Sequence, residues 1–360
     1  MPLVGKLFSG PIDIIGDVHG EIGALLSLLD LLGYDGQGNH AEGRRLVFLG
    51  DLGDRGPNSI AVIRLVRRLW RRQRAQCIIG NHELNLLREE RKHGNGWFWG
   101  ETEVIRKDKK ALSFQFLADS AFRATALDFF GQLPLALERP SGKDGTAVSV
   151  VHAAWHPPSV AALRNESGSA SRADAAFARR IRRRISQAGN GGGVGGVALS
   201  DDEVQMLMQN DNPARVLTSG LEQRAKVPFF AGGRLRTLER HRWWLDSPAA
   251  YAADGGSGGD GGAASSLVVI GHYWRRWMRE VDARVPSGFA PSGADVFDGV
   301  APTALLGPRR SVFCVDFAVG LRYEERGLKL PPASLGTHLA ALRLPERTLH
   351  LEDGRVLPLT

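Results

Sequence analysis

Apolar residues in the first part of the chain fall into very short runs separated by longer stretches with helical period. Ile12–Ile15, Leu46–Leu49 and Cys77–Ile79 are too short for helices and are made almost wholly of Ile, Leu, Val, Phe and Cys. Such runs predict strands buried on both faces. Between them, Glu21–Leu32 carries paired leucines at helical spacing. Ser59–Arg72 repeats this with Ile60, Ile63, Val66 and Trp70, and its arginines fall mostly off that stripe. Leu84–Arg91 also reads as a helix. The β-α-β-α order predicts an α/β fold with a sheet core. Ala147–Val151, Leu267–Ile270 and Val312–Val315 supply later strands. The tail, Leu339–Pro358, alternates enough for a β-hairpin turning at Pro345–Arg347 or Asp353–Gly354.

Glycine-rich stretches near 188–196 and 254–262 predict flexible insertions, and Val285–Pro308 is loop-like. One domain spanning 1–360 is favoured over two, because candidate catalytic residues run from Asp17 to His272 and must converge. A hydrophobic content of 43% suits a globular protein. No stretch approaches the roughly 18 apolar residues needed to span a bilayer, and the N-terminus lacks a signal-peptide run, so a cytoplasmic location is expected. Cys77 and Cys314 sit in apolar runs and read as buried free thiols. The net charge of +7 favours an anionic partner: a nucleotide, a phosphoprotein or RNA. The arginines of Arg64–Arg74 are read first as the wet face of a helix, with nucleic-acid binding the less favoured reading.

Candidate chemistry sits where the strands end. Ile12–Ile15 leads into Gly16-Asp17-Val18-His19-Gly20, and Leu46–Leu49 into Gly50-Asp51-Leu52-Gly53-Asp54-Arg55-Gly56. Cys77–Ile79 runs into Gly80-Asn81-His82-Glu83, Val148–Val151 ends at His152, and Leu267–Ile270 leads to Gly271-His272. Each piece alone is commonplace; together they place oxygen and imidazole donors on one sheet rim. Such a set suits two divalent transition metals, manganese first and iron or zinc as alternatives, better than magnesium or calcium. One bridging carboxylate would hold the pair, and a water between them would become a hydroxide able to attack phosphorus.

The first three motifs are similar to the signatures of calcineurin-like metallophosphoesterases, the phosphoprotein phosphatase family. The resemblance implies a central β-sandwich flanked by helices, with a dimetal site at the strand ends. It implies Asp17 and His19 as ligands of one metal, Asp51 as the bridge, and Asn81, His152 and His272 as ligands of the other. His82 resembles the general acid, oriented by Asp54, and Arg55 the guanidinium that grips phosphate. The bacterial symmetrical bis(nucleosyl)-tetraphosphatases are the nearest comparison, through Val151-His152-Ala153 and the Gly-His strand end. Two departures stand out: the last strand reads Cys314-Val315-Asp316-Phe317 where those enzymes usually show Asp-Thr-Gly, and Ala154 stands where a glycine is common. Asp316 is either an acceptor for a metal-bound histidine or a core carboxylate. Arg242 and Arg275 are candidates for a second phosphate-binding arginine. Gly94–Trp99, Trp243-Trp244 and Tyr273-Trp274 offer aromatic faces for a nucleobase, or are core. The expected activity is hydrolysis of phosphate esters or anhydrides, with dinucleoside polyphosphates preferred. A serine/threonine protein phosphatase, or a non-catalytic RNA-binding protein on the same scaffold, are the alternatives.

Overall fold

The computed structural model describes residues 1–105, 110–112, 116–141, 146–190, 199–231, 234–246, 265–277, 296–297, 299–327, 329 and 335–360. Two sheets face each other. One contains six strands in the order Val356–Pro358, Thr348–Leu351, Ala340–Leu344, Ile12–Ile15, Arg45–Phe48, Ala75–Cys77. The other contains five, in the order Val4–Lys6, Ala136–Arg139, Thr146–Val151, Ser265–Ile270, Val312–Cys314. In the first, Ile12–Ile15, Arg45–Phe48 and Ala75–Cys77 run parallel. In the second, Thr146–Val151, Ser265–Ile270 and Val312–Cys314 do the same.

The strand alternation explains why the predicted runs lack polar gaps. Ile12, Ile14, Val47, Leu49, Val148, Val150, Leu267 and Val269 fill the core between the sheets. Their neighbours Ile15, Leu46, Phe48, Val151, Val268 and Ile270 belong to the core under the helices. Both faces are dry, so both must be apolar. The exception is Asp13, fully buried, which accepts hydrogen bonds from Tyr34 Oη at 2.7 Å and from Arg343 Nε at 2.8 Å. Cys77 and Cys314 are buried free thiols.

Most boundaries fall within one or two residues of the sequence reading, and three differences have a physical cause. The third strand is Ala75–Cys77, because the Ile79 N–H leaves the first sheet to donate to Pro134 O at 2.9 Å. The following helix begins earlier, at Asn81–Leu87, since the Glu83 carboxylate accepts the Gly80 N–H at 3.0 Å and starts the helix inside the motif. The tail uses both suggested turns and forms three antiparallel strands. The insertion near 254–262 lies outside the described residues. Of 188–196, residues 188–190 close the helix Ala170–Asn190 and 191–196 lie outside. No helix among the described residues is long and apolar enough to cross a membrane.

Candidate active site

Parallel strands direct their carboxyl ends the same way, so the loops after Ile15, Phe48, Cys77, Val151 and Ile270 meet at one edge of the sandwich. The loops are also bonded to one another. Asp51 O accepts the N–H groups of Val18 at 3.1 Å and His19 at 2.9 Å, and Gly271 N donates to His152 O at 2.9 Å. Close approach explains two glycines. A Cβ on Gly80 would lie 2.1 Å from Asp51 Oδ1, and one on Gly271 would lie 2.2 Å from Asp17 Oδ1. The backbone is strained here as well: His19, Asp51, Asp54, Arg55 and His272 all take left-handed φ values between 46° and 73°. Each such residue costs on the order of 1–3 kcal/mol, which the surrounding bonds must offset.

Asp51 is the centre of the arrangement. Its Oδ2 lies 3.3 Å from His152 Nε2 and 3.8 Å from both His19 Nε2 and His82 Nε2. Donor atoms of His19, Asp51 and His82 fall within 4.8 Å of one another, as do those of Asp51, His152 and His272. Both groups are buried and share the one carboxylate. Asp17 Oδ2 is 3.9 Å from His19 Nε2, and Asn81 Oδ1 is 3.2 Å from His152 Nε2. The six residues selected as metal ligands from the sequence, Asp17, His19, Asp51, Asn81, His152 and His272, are therefore brought together.

The donors fit divalent cations in their chemistry as well as their placing. His19 Nδ1 donates to Gly53 O at 3.0 Å and His152 Nδ1 to Leu49 O at 2.7 Å, which turns Nε2 of both rings toward the centre. His272 Nε2 is buried without a hydrogen-bond partner, although such an atom is costly to leave unmatched. Burial, then the Arg55 charge, holds His19 well below the ordinary imidazole range. Burial, then Arg240, does the same to His272. Burial also pushes on His152, but the Asp51 and Asp17 carboxylates overcome it and raise the imidazole to about 10. Ligation needs the neutral ring, so a cation bound among these donors displaces that proton. Burial pushes Asp17 upward, aided by Asp316. Burial opposes ionisation of Asp51 too, yet the histidines around it hold its carboxyl well down.

A second tier of contacts fixes these groups. The buried Glu83 carboxylate accepts from Asp51 N at 2.8 Å, Leu52 N at 2.8 Å and Gly80 N at 3.0 Å, tying the second motif to the third. His82 Nδ1 donates to Asp54 Oδ2 at 2.5 Å, and the other Asp54 oxygen accepts the buried Trp97 indole N–H at 2.7 Å. Arg55 donates through Nη1 to His19 Nε2 at 3.2 Å and through Nη2 to His82 Nε2 at 3.0 Å. Its guanidinium also lies 4.8 Å from the ring of the half-buried Trp274. Asp316 accepts the backbone N–H groups of Trp274 and Ala318, each at 2.8 Å. It therefore braces the chain after His272 through backbone bonds instead of receiving an imidazole N–H.

Several sequence candidates lie elsewhere. Arg275 is buried, bonds the carbonyls of Ala301 and Ala304, and packs beside Phe297, Phe313 and Phe317. It is a core residue. Trp97, Phe98, Trp243, Trp244 and Tyr273 are buried as well, which leaves Trp99 and Trp274 as the partly open rings of those segments. Arg242 precedes the turn Trp243–Leu245, and the exposed Arg240 is a residue whose charge acts on Asp51 and His272. Arg240 ends the hairpin Glu222–Ala231/Arg234–Arg240, which carries no motif, so nothing in the sequence singled it out. Glu83 and Trp97 were visible within quoted motifs, but their roles depend on partners distant along the chain.

Residues 10–178 match the family model described as calcineurin-like phosphoesterase. Over 79 residues the chain is 49% identical to asymmetrical bis(5'-nucleosyl)-tetraphosphatase PrpE of Halalkalibacterium halodurans, covering 21% of this chain and 32% of that protein. Over 115 residues it is 41% identical to the Bacillus subtilis protein of the same name, covering 29% and 47%. A symmetrical bis(5'-nucleosyl)-tetraphosphatase of Janthinobacterium is 42% identical over 76 residues, covering 20% and 24%. The chain thus spans less than half the length of these curated relatives. His272 lies beyond the span that matches the family model.

Proposed function

We propose that the calcineurin-like phosphoesterase domain at residues 10–178, completed by His272, makes this chain a metal-dependent hydrolase of phosphate esters or anhydrides, with dinucleoside polyphosphates as its preferred substrates. The observation that carries the reading is the sharing of Asp51 by two buried donor groups drawn from both sheets. Asp17, His19 and Asp51 would hold one divalent ion, and Asp51, Asn81, His152 and His272 the other, with manganese the favoured metal and iron or zinc the alternatives. When bound, such ions acidify water near neutral pH and draw negative charge from phosphoryl oxygens.

The chain's own residues do the rest. The fork of Arg55, already directed toward the centre, suits two phosphoryl oxygens in bidentate fashion. His82 serves as the acid that gives a proton to the leaving oxygen from Nε2, since Nδ1 is committed to Asp54. Asp54 orients that ring and is itself fixed by Trp97. Arg240, at the rim, adds a second cation toward the substrate's phosphates. A cytoplasmic setting, where nucleotides abound, belongs to the same reading.

The test is incubation of manganese-loaded protein with diadenosine tetraphosphate and chromatography of the products. ADP alone would establish symmetrical cleavage, and ATP with AMP asymmetrical cleavage, the two names the relatives bear. If neither appears from protein that holds metal, the dinucleotide assignment fails, and phosphopeptide turnover would then favour a protein phosphatase.

A further inference from the structure

A second charged feature lies away from the strand ends and owes nothing to the phosphoesterase reading. The helix Ser59–Arg71 carries Arg64, Arg67, Arg68 and Arg71, followed by Arg72. These five arginines form one wall of a groove of about 590 Å³, and the start of the helix Ser120–Phe130 forms the other. All but the half-buried Arg67 are exposed. Several arginines elsewhere are paired with carboxylates: Arg44 with Glu42 and Glu346, Arg215 with Asp174, Arg322 with Glu352, Arg343 with Asp13. Among the described residues none of the five groove arginines has a carboxylate within ion-pair distance. Asp119 is the only acidic side chain in the lining, and its Oδ1 is engaged at 2.7 Å by Phe122 N as a helix cap. The groove thus gathers five positive charges against one negative, and a bound polyanion would relieve their repulsion.

We propose that this groove is a binding site for a chain of condensed phosphates. From Arg64 to Arg72 the chain advances about 12 Å, so five guanidiniums are gathered on one face over a short length. A condensed phosphate chain bears a charge at each phosphorus with one bridging oxygen between, so its charge density suits that face. A nucleic-acid strand spaces its charges by a nucleoside and needs surfaces for its bases. Here the one aromatic ring in the lining, Phe122, is buried and has Arg64 over it at 5.4 Å. Guanidiniums suit phosphate oxygens through paired N–H donors. The source of the chain is inorganic polyphosphate or the tail of a nucleoside polyphosphate.

The test is calorimetric titration of the full chain carrying His82→Asn, so that the probe is not consumed, with sodium tripolyphosphate, ATP and a ten-nucleotide oligoribonucleotide. Tripolyphosphate should bind, weaken steeply with added salt, and lose at least tenfold in affinity in Arg64→Gln/Arg68→Gln/Arg71→Gln. The same affinity should survive Arg55→Ala. Equal affinity for ATP assigns the phosphate chain alone as the ligand, and tighter ATP binding assigns a nucleotide. Absence of tripolyphosphate binding, its loss with Arg55→Ala, or its persistence in the triple variant overturns the site. Oligoribonucleotide binding tighter than both other probes overturns the choice of ligand in favour of RNA. Because the triple variant could lose binding through misfolding, its melting temperature is measured alongside. Arg67→Gln, a single change, provides a second variant that should also weaken binding.

Discussion

The strand-end cluster and the arginine groove are both dense in charge, yet they hold it by opposite means. Around Asp51 the charges are buried, alternate in sign and are fixed by backbone bonds from other loops. Glu83 and Asp54 spend their oxygens on named donors, and several residues hold strained backbone angles to keep their positions. In the groove five positive charges face one negative, sit on mostly exposed side chains and have no carboxylate within ion-pair distance among the described residues. The first arrangement is suited to placing atoms for a reaction. The second provides only a field. Conservative substitutions should therefore be costly in the first region and nearly silent in the second.

The largest effect is expected from Asp51→Asn, which removes the carboxylate common to both donor groups. Turnover should fall by more than about a thousandfold, beyond the 10²–10³ usual for one lost transition-state donor. Near-normal activity would dissolve the contrast between the two regions. His82→Asn should lower kcat by about 10²–10⁴ while metal content, measured on the same sample, stays unchanged. A loss of metal would instead make His82 a ligand, in keeping with its place beside Asp51. Trp97→Phe removes the indole N–H and leaves one Asp54 oxygen buried without it. A loss of about tenfold in kcat and of about 1–3 kcal/mol in stability by urea denaturation is expected. If kcat is unaffected, the Trp97 bond serves folding alone. At the bottom of the scale, Arg64→Gln should change stability by less than about 0.5 kcal/mol and leave phosphoesterase turnover intact. A clear drop in turnover would tie the groove to the reaction and sharpen the comparison in an unexpected direction.

The strands and the candidate donors were readable because both obey local rules. Leu267–Ile270 is apolar throughout, and Ile12–Ile15 apart from Asp13, since each has core on two sides, and each candidate donor follows its strand within a few residues. The helix at Asn81 was misplaced because its start depends on Glu83 turning back to Gly80, a contact that apolar periodicity does not record. Trp97 was recognised as an aromatic within a motif-adjacent segment, to be read as a nucleobase surface or as core, and it is core. Its role requires knowing that Gly53 and Asp54 come to lie against it, since a Cβ on Gly53 would stand 2.9 Å from its ring. Arg240 was invisible for a related reason: it is one arginine among many on a polar hairpin, and only the fold brings its charge to bear on His272. Asp51 and His272 are remote from Arg240 in sequence, so no spacing rule could find it.

Metal content per chain tests the central claim most directly. Protein purified from manganese-supplemented culture, measured by inductively coupled plasma mass spectrometry, should hold close to two transition-metal ions, and Asp51→Asn fewer than about one. No metal in the unaltered chain, or equal content in the two proteins, would contradict a centre built on Asp51.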